Sequence, residues 1–264
     1  MKDSITFSAS CLYVHGFYWF FTQKKFRIKY LLAILVGAYL LVNIKPYILF
    51  ALLPGSMLWF VTLRINEIKS VFLKVMFAPT LISVGLILGI TVLEQLGNSL
   101  GQYSVEKVIG TASGAQQDLK QSYYGGNTFD IGDYDATLSG LMSVADKAIF
   151  ATLFRPTLLD VRNVVMALSA LENTFILIFT LYLLYKLKVF RFFLVITNHP
   201  LLMFSFVFAL FFAFSVGVSI SNFGTLVRLK IPCLPFFLSS LVIINYILNM
   251  TKKDKHWQIS DGAI

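Results

Sequence analysis

GNSLGQYSVEKVIGTASGAQQDLKQSYYGGNTFDIGDYDATLSGLMSVADKAIFATLFRPTLLDV, residues 97–161, is a polar stretch inside an otherwise apolar chain, and its reading decides the fold. It holds seven acids (Glu106, Asp118, Asp130, Asp133, Asp135, Asp146, Asp160) against four bases (Lys107, Lys120, Lys147, Arg155). The whole chain carries +9, so with this stretch at −3 the remainder stands at +12. An acidic insertion between basic, apolar flanks is the pattern of an extramembrane loop whose neighbours cross a bilayer.

The flanks bear this out. The chain is 57% hydrophobic and 16% aromatic, with only 13% charged residues, and its mean hydropathy is +0.76. A soluble domain of 264 residues needs a charged surface that this composition does not supply. The bases stand beside apolar runs rather than on a polar face, which excludes nucleic acid as a partner and makes the lipid bilayer the first one. Cys11 and Cys233 both lie in apolar runs and read as buried, inert thiols rather than a disulfide framework.

A hydrocarbon core of about 30 Å takes roughly 20 apolar residues in a helix. Four segments have that length: 71–94, 163–185, 199–219 and 231–249. The run 30–63 is broken by Lys45-Pro46-Tyr47, and proline ends a helix while keeping the residue before it out of the α region. It reads as two short spans, 30–44 and 47–63, joined by a tight turn, with one long kinked helix as the rival. Residues Phe7–Phe21 are apolar around His15-Gly16 and are a seventh span, an interfacial helix or the stub of an upstream span. They lack the pattern of a signal peptide.

Charge then sets the orientation. Lys24, Lys25, Arg27 and Lys29, then Arg64, Lys69 and Lys74, then Lys186, Lys188 and Arg191, and finally Lys252, Lys253 and Lys255 all fall on one side if there are six spans. That side is cytoplasmic by the positive-inside rule. The expectation is therefore an all-α integral membrane protein of six transmembrane helices with one extracytoplasmic polar insertion. Its parts are an N-terminal apolar segment (1–29), spans one to three (30–96), the insertion (97–161), spans four to six (162–250) and a cytoplasmic tail (251–264). Within the insertion, 105–124 holds a short helix ending at Gly125-Gly126. Leu138, Leu141, Met142, Ala145, Ile149 and Leu153 recur at helical spacing behind an Asp135 N-cap, as in an amphipathic helix on the outer leaflet or over the bundle mouth.

Asn127, Asp130, Asp133 and Asp135 suggest a hard cation, but their order lacks the EF-hand pattern, and solvated turn residues are the better reading. His15, His199 and His256 stand apart, so no metal-ligand cluster is expected. No motif implies a cofactor, and no nucleotide fingerprint or nucleophile elbow is present. Arg155, Arg228 and Lys230 sit where the external loops meet the membrane, against the orienting rule. Gripping a lipid-linked phosphate would explain them; pairing with headgroups or with Asp160 is the alternative. Glu172, beside Asn173, falls nine residues into the fourth span, about 14 Å deep at 1.5 Å per residue. An ionisable group there is expected to face the bundle and to be functional or partnered.

Leu153-Phe154-Arg155-Pro156, Ala167-Leu168-Ser169-Ala170-Leu171-Glu172-Asn173 and the run Asn222–Pro232 resemble a family of bacterial polytopic membrane proteins that occur with capsule and exopolysaccharide genes, some labelled glycosyltransferase-like. The resemblance spans about 29–248. It implies a multi-pass protein of the bacterial inner membrane, C-terminus in the cytoplasm, that works in surface polysaccharide assembly with a polyprenyl-linked sugar or other assembly proteins as partners. It carries no established reaction. The chain departs from the pattern at Leu159-Asp160, where an aromatic-acid pair is expected, and at Asn163-Val164, where Asn-Pro is expected. Longer members have additional upstream spans, so a shortened version is expected. Polyprenyl-sugar glycosyltransferases keep a catalytic acid in the first external loop, which here is Lys45-Pro46-Tyr47. The alternatives are a non-catalytic scaffold for other polysaccharide enzymes and a small proton-coupled transporter resting on Glu172.

Overall fold

The computed structural model describes residues 2–68, 128–135 and 137–261, with isolated positions at 83, 91, 110, 114 and 118. The third expected span (71–94) and the expected helix within 105–124 lie outside the described run. The described residues are mostly helical. α1 is Lys2–Phe17, followed by a π-helical turn to Thr22; α2 is Ile28–Ile44 and α3 Pro46–Glu67. Beyond residue 135 come α4 (Leu138–Ser143), α5 (Ala145–Phe154), α6 (Val164–Leu187), α7 (Val189–Asn198), α8 (Pro200–Ser219), α9 (Phe223–Leu229) and α10 (Leu234–Asp261). α3, α6 and α8 are each long and apolar enough to cross a membrane, and α9 with α10 makes a fourth if the pair is one span bent by 66°. This is an all-α membrane protein.

Proline places two of the helix starts. Pro46 and Pro200 occupy first-turn positions, where the missing N–H breaks no hydrogen bond. Lys45, between α2 and α3, takes the extended-side φ of −148° that the following proline favours. The run 30–63 is thus a hairpin rather than one kinked helix: Lys24, before α2, pairs with Glu67, at the end of α3, at 2.8 Å.

α1 turns the N-terminal apolar run into a helix paired along α2. The approach depends on Gly37, where a Cβ would stand 2.8 Å from the Ala9 carbonyl oxygen. Asp3, at its start, reaches Lys45 and Arg228, so α1 runs between the same two ends of the bundle as α2 and α3. Cys11 lies on its exposed face, not in the core, whereas Cys233 is buried.

α8 is the centre of the bundle. Phe204, Phe208 and Phe212 are fully buried. Trp59 meets Phe204 at 5.0 Å and Tyr47 meets Phe212 at 6.0 Å, which sets α8 antiparallel to α3. From α10, Phe236 stands 4.9 Å from Phe208. The bundle therefore has a Lys45 end, with Ser219, Asn222 and the bridge from Asn222 to Thr128, and a Glu67 end, with Lys24, Arg64 and the start of α8. Glu67 and Thr128 stand at opposite ends.

The sixth expected span, 231–249, is continuous helix from Leu234 onward. The chain bends just ahead of it, between Leu229 and Leu234, where Pro232 has no N–H to continue a ladder from α9. The C-terminal segment 251–261 continues α10 as helix.

The amphipathic helix of the insertion is also rearranged. Thr137 is its cap, its hydroxyl accepting from the Gly140 N–H at 3.1 Å, in place of Asp135. A break at Val144 shifts the helical phase, so Leu141, Val144, Ala148, Ala151 and Leu153 are buried while Met142 is 61% exposed. Small residues won the inner face because α5 lies directly on α8. A Cβ at Gly217 would stand 2.3 Å from the Ala148 carbonyl oxygen, and Thr152 Oγ1 donates to the Ala213 carbonyl at 2.8 Å. The helix is docked on the bundle at its Lys45 end.

Candidate functional site: a charged cleft on the α5 face

α5 shows one face to solvent and the other to α8. Asp146, Lys147, Phe150 and Ala151 from that helix, with Arg155 just after it and Asp130 from the preceding loop, line an open cleft of about 460 Å³. Positions 147, 150, 151 and 155 follow helical spacing, which brings them to one side. Asp130 Oδ1 accepts the Gly132 N–H at 2.9 Å, closing a tight turn in which Gly132 takes φ of +95°, a conformation glycine adopts without strain. This turn holds Asp130 opposite Lys147. The wall thus combines two carboxylates, two bases and the ring of Phe150, which is 45% exposed.

Arg155 is held from several directions. Its Nε donates to Asp160 Oδ2 at 3.2 Å and its Nη2 to Oδ1 at 2.5 Å, a two-point fork. The guanidinium lies over the rings of Phe223 and Phe129, 5.1 and 5.6 Å from their centroids. Phe129 is tied in turn by its N–H to the Ser221 carbonyl at 2.8 Å. Asp160 also accepts the Thr157 N–H and hydroxyl at 2.8 and 2.9 Å. Burial pushes the Asp160 carboxyl up, but the Arg155 and Thr157 hydrogen bonds outweigh it and hold it below the usual carboxylate range.

Behind this turn lies a second polar group. Lys230 is 1% exposed, and its Nζ donates to Asn173 Oδ1 at 2.6 Å and to the Arg155 carbonyl at 3.1 Å. Asn173 Nδ2 donates to the Pro156 carbonyl at 3.0 Å. The break in α9–α10 frees backbone groups that are re-bonded locally: the Lys230 carbonyl accepts from the Cys233 N–H and thiol at 3.0 and 3.1 Å. Lys230 and Asn173 therefore clamp the turn that carries Arg155.

The three bases singled out from sequence do not share one site. Arg155 lines the cleft, Lys230 sits behind it inside the protein, and Arg228 is 74% exposed beside Asp3 at 3.5 Å. Leu229 separates the two α9 bases, and a two-residue step on a helix turns about 200°, so both cannot face the same way. Glu172 also differs from expectation: it lies on the exposed side of α6, and Asn173 is the residue turned inward. Asn173 belongs to the buried row Met166, Ala170, Asn173 and Ile176, whose three- and four-residue spacing was visible in the sequence. Lys147 and Phe150 share the 147–150–151 face, which the apolar spacing of Leu138, Leu141, Met142, Ala145, Ile149 and Leu153 does not mark. Among the described residues no group of three His, Cys, Asp or Glu side chains comes together to hold a metal.

Comparison with family models, with curated proteins and with solved structures finds no match to this chain. The fold and the cleft alone define the class: a helical membrane protein with a mixed-charge cleft at one end of its bundle.

Proposed function

We propose that this chain is a component of surface polysaccharide assembly in the bacterial inner membrane and holds the phosphate-bearing saccharide of a polyprenyl carrier in the α5 cleft. On this reading the six spans counted from residue 30 cross the bilayer with α1 packed alongside them, the Lys45 end faces outward, and the Glu67 end with its surrounding bases faces the cytoplasm. The observation that carries the reading is the composition of the cleft. Lys147 and the part of the Arg155 guanidinium not engaged by Asp160 suit a phosphate, Asp130 and Asp146 suit sugar hydroxyls, and the Phe150 ring suits a sugar face. Lys230 and Asn173 hold the Arg155 turn from behind, and Arg228 stands outside the cleft beside Asp3.

The test is binding of a polyprenyl diphosphate, with and without its saccharide, to the detergent-solubilised chain by native mass spectrometry. Lys147→Gln and Phe150→Ala, both on the solvent face of α5, should each weaken binding about tenfold or more without lowering the melting temperature. Unchanged binding in both variants would sink the reading.

A second reading, a scaffold for other assembly enzymes, is favoured by α6. Only 22% of its span is buried, against 61% for α3 and 56% for α8, and Glu172 lies on that open side. A carboxyl facing lipid is costly and a partner would relieve it. Loss of a co-purifying protein on Glu172→Leu, with carrier binding intact, would favour this reading.

A further inference from the structure

At the Glu67 end of the bundle, α6 and α8 are joined by α7, a ten-residue helix read from sequence only as a basic loop. Lys188 takes φ of +62° and separates α7 from α6. The inner face of α7 is anchored: Phe192 and Ile196 are buried, and Phe192 packs on Phe206 of α8 at 5.9 Å. The outer face is apolar and open, with Val189, Phe190, Phe193 and Leu194 all exposed. Bases stand directly around it. Lys188 and Arg191 are exposed, and Lys186 lies 4.8 Å from the centroid of the Tyr182 ring and donates to its hydroxyl. No Asp or Glu occurs anywhere from residue 173 to residue 253.

Four apolar side chains beside three cations, with no acid in the surrounding sequence, match one occupant: a bilayer boundary with anionic headgroups. The rings enter the acyl region while the cations meet phosphate above it. Another protein surface would have to supply both an apolar patch and a ring of acids. We infer that α7 is a binding site for anionic phospholipid, seating Phe190, Phe193 and Leu194 in the bilayer and Lys186, Lys188 and Arg191 on its headgroups. This site is at the opposite end of the bundle from the α5 cleft, so it stands whether or not the cleft takes a carrier lipid.

The full-length chain carrying Phe193→Trp, reconstituted in vesicles, tests the site. Its fluorescence is read as the difference from the chain without that substitution, using phosphatidylcholine or phosphatidylglycerol brominated on the acyl chains. Brominated phosphatidylglycerol should quench the new tryptophan at severalfold lower mole fraction than brominated phosphatidylcholine. Each base near an anionic surface is worth about a fivefold preference at most. Molar salt and the triple change Lys186→Gln, Lys188→Gln and Arg191→Gln should both bring the two lipids together. No quenching by either lipid would mean that protein covers the face, and equal quenching by both in the unaltered background would mean contact without headgroup selection. Either result overturns the site.

Discussion

Lys230 and Arg228 are two residues apart at the end of one short helix, yet one is almost completely buried and the other is three-quarters exposed. Lys230 enters the break between α9 and α10 and bonds to two partners contributed by distant parts of the chain, Arg155 and Asn173. Arg228 reaches across open space to Asp3, which Lys45 also engages. The same charge at nearly the same position thus serves two purposes. One cation is part of the internal structure and holds the Arg155 turn in place; the other belongs to a solvent-exposed cluster that links α1 to α9. The difference teaches that a basic residue near a membrane boundary is not by itself a ligand-binding residue, and that its burial and its partners decide what it does.

The comparison breaks most readily at Lys230. Lys230→Ala would strand the Asn173 side chain and the Arg155 carbonyl without a donor inside the protein. The expected loss is about 3 kcal/mol, seen as a drop in the thermal unfolding midpoint in detergent. A midpoint that does not move would mean that water already reaches the break.

An intermediate effect is expected at Asp160, whose carboxylate joins Arg155 to Thr157. Asp160→Asn keeps the shape and removes the charge, and should cost about 1 kcal/mol. Because the folded carboxyl titrates below its unfolded value of about 4, its contribution is fully present above that pH. It is lost as pH falls further, through the folded titration point. Melting followed from pH 6 to pH 3 should therefore fall in the unaltered chain more than in Asp160→Asn, and parallel curves would remove the pair from the account of stability.

The smallest effect is expected at Arg228. Arg228→Ala gives up only an exposed ion pair of the sort that contributes little, and the melting midpoint should stay within the error of the measurement. A loss comparable to that of Lys230→Ala would erase the distinction between the two residues and make the Asp3 cluster a structural joint.

Much of the fold was legible in the sequence because hydropathy and proline act locally. Long apolar runs produced α3, α6 and α8, and Lys45-Pro46 and His199-Pro200 marked helix starts at the residues where the structure has them. The candidate site was legible only in part. Arg155 was singled out for its place at the loop–membrane boundary, and it does line the cleft. Lys147 and Phe150 were not, because an amphipathic helix read in isolation offers more than one apolar face. Which face docked depended on Gly217, some seventy residues away, accepting the Ala148 backbone. Glu172 and Asn173 likewise exchanged roles because burial of α6 follows the row of residues that meets its neighbours, not the most costly single side chain.

Composition and charge order by themselves determined that this is a helical membrane protein with a polar insertion at one end, since the cost of exposing apolar residues to water or polar ones to hydrocarbon depends on each segment alone. The tertiary structure decided the rest: that α5 packs on α8, that Lys230 is buried against Asn173 and the Arg155 carbonyl, and that Arg155 is fixed by Asp160, Phe129 and Phe223. Those outcomes depend on which side chains meet across long stretches of chain, and directional hydrogen bonds and close packing at such meetings have no counterpart in local sequence.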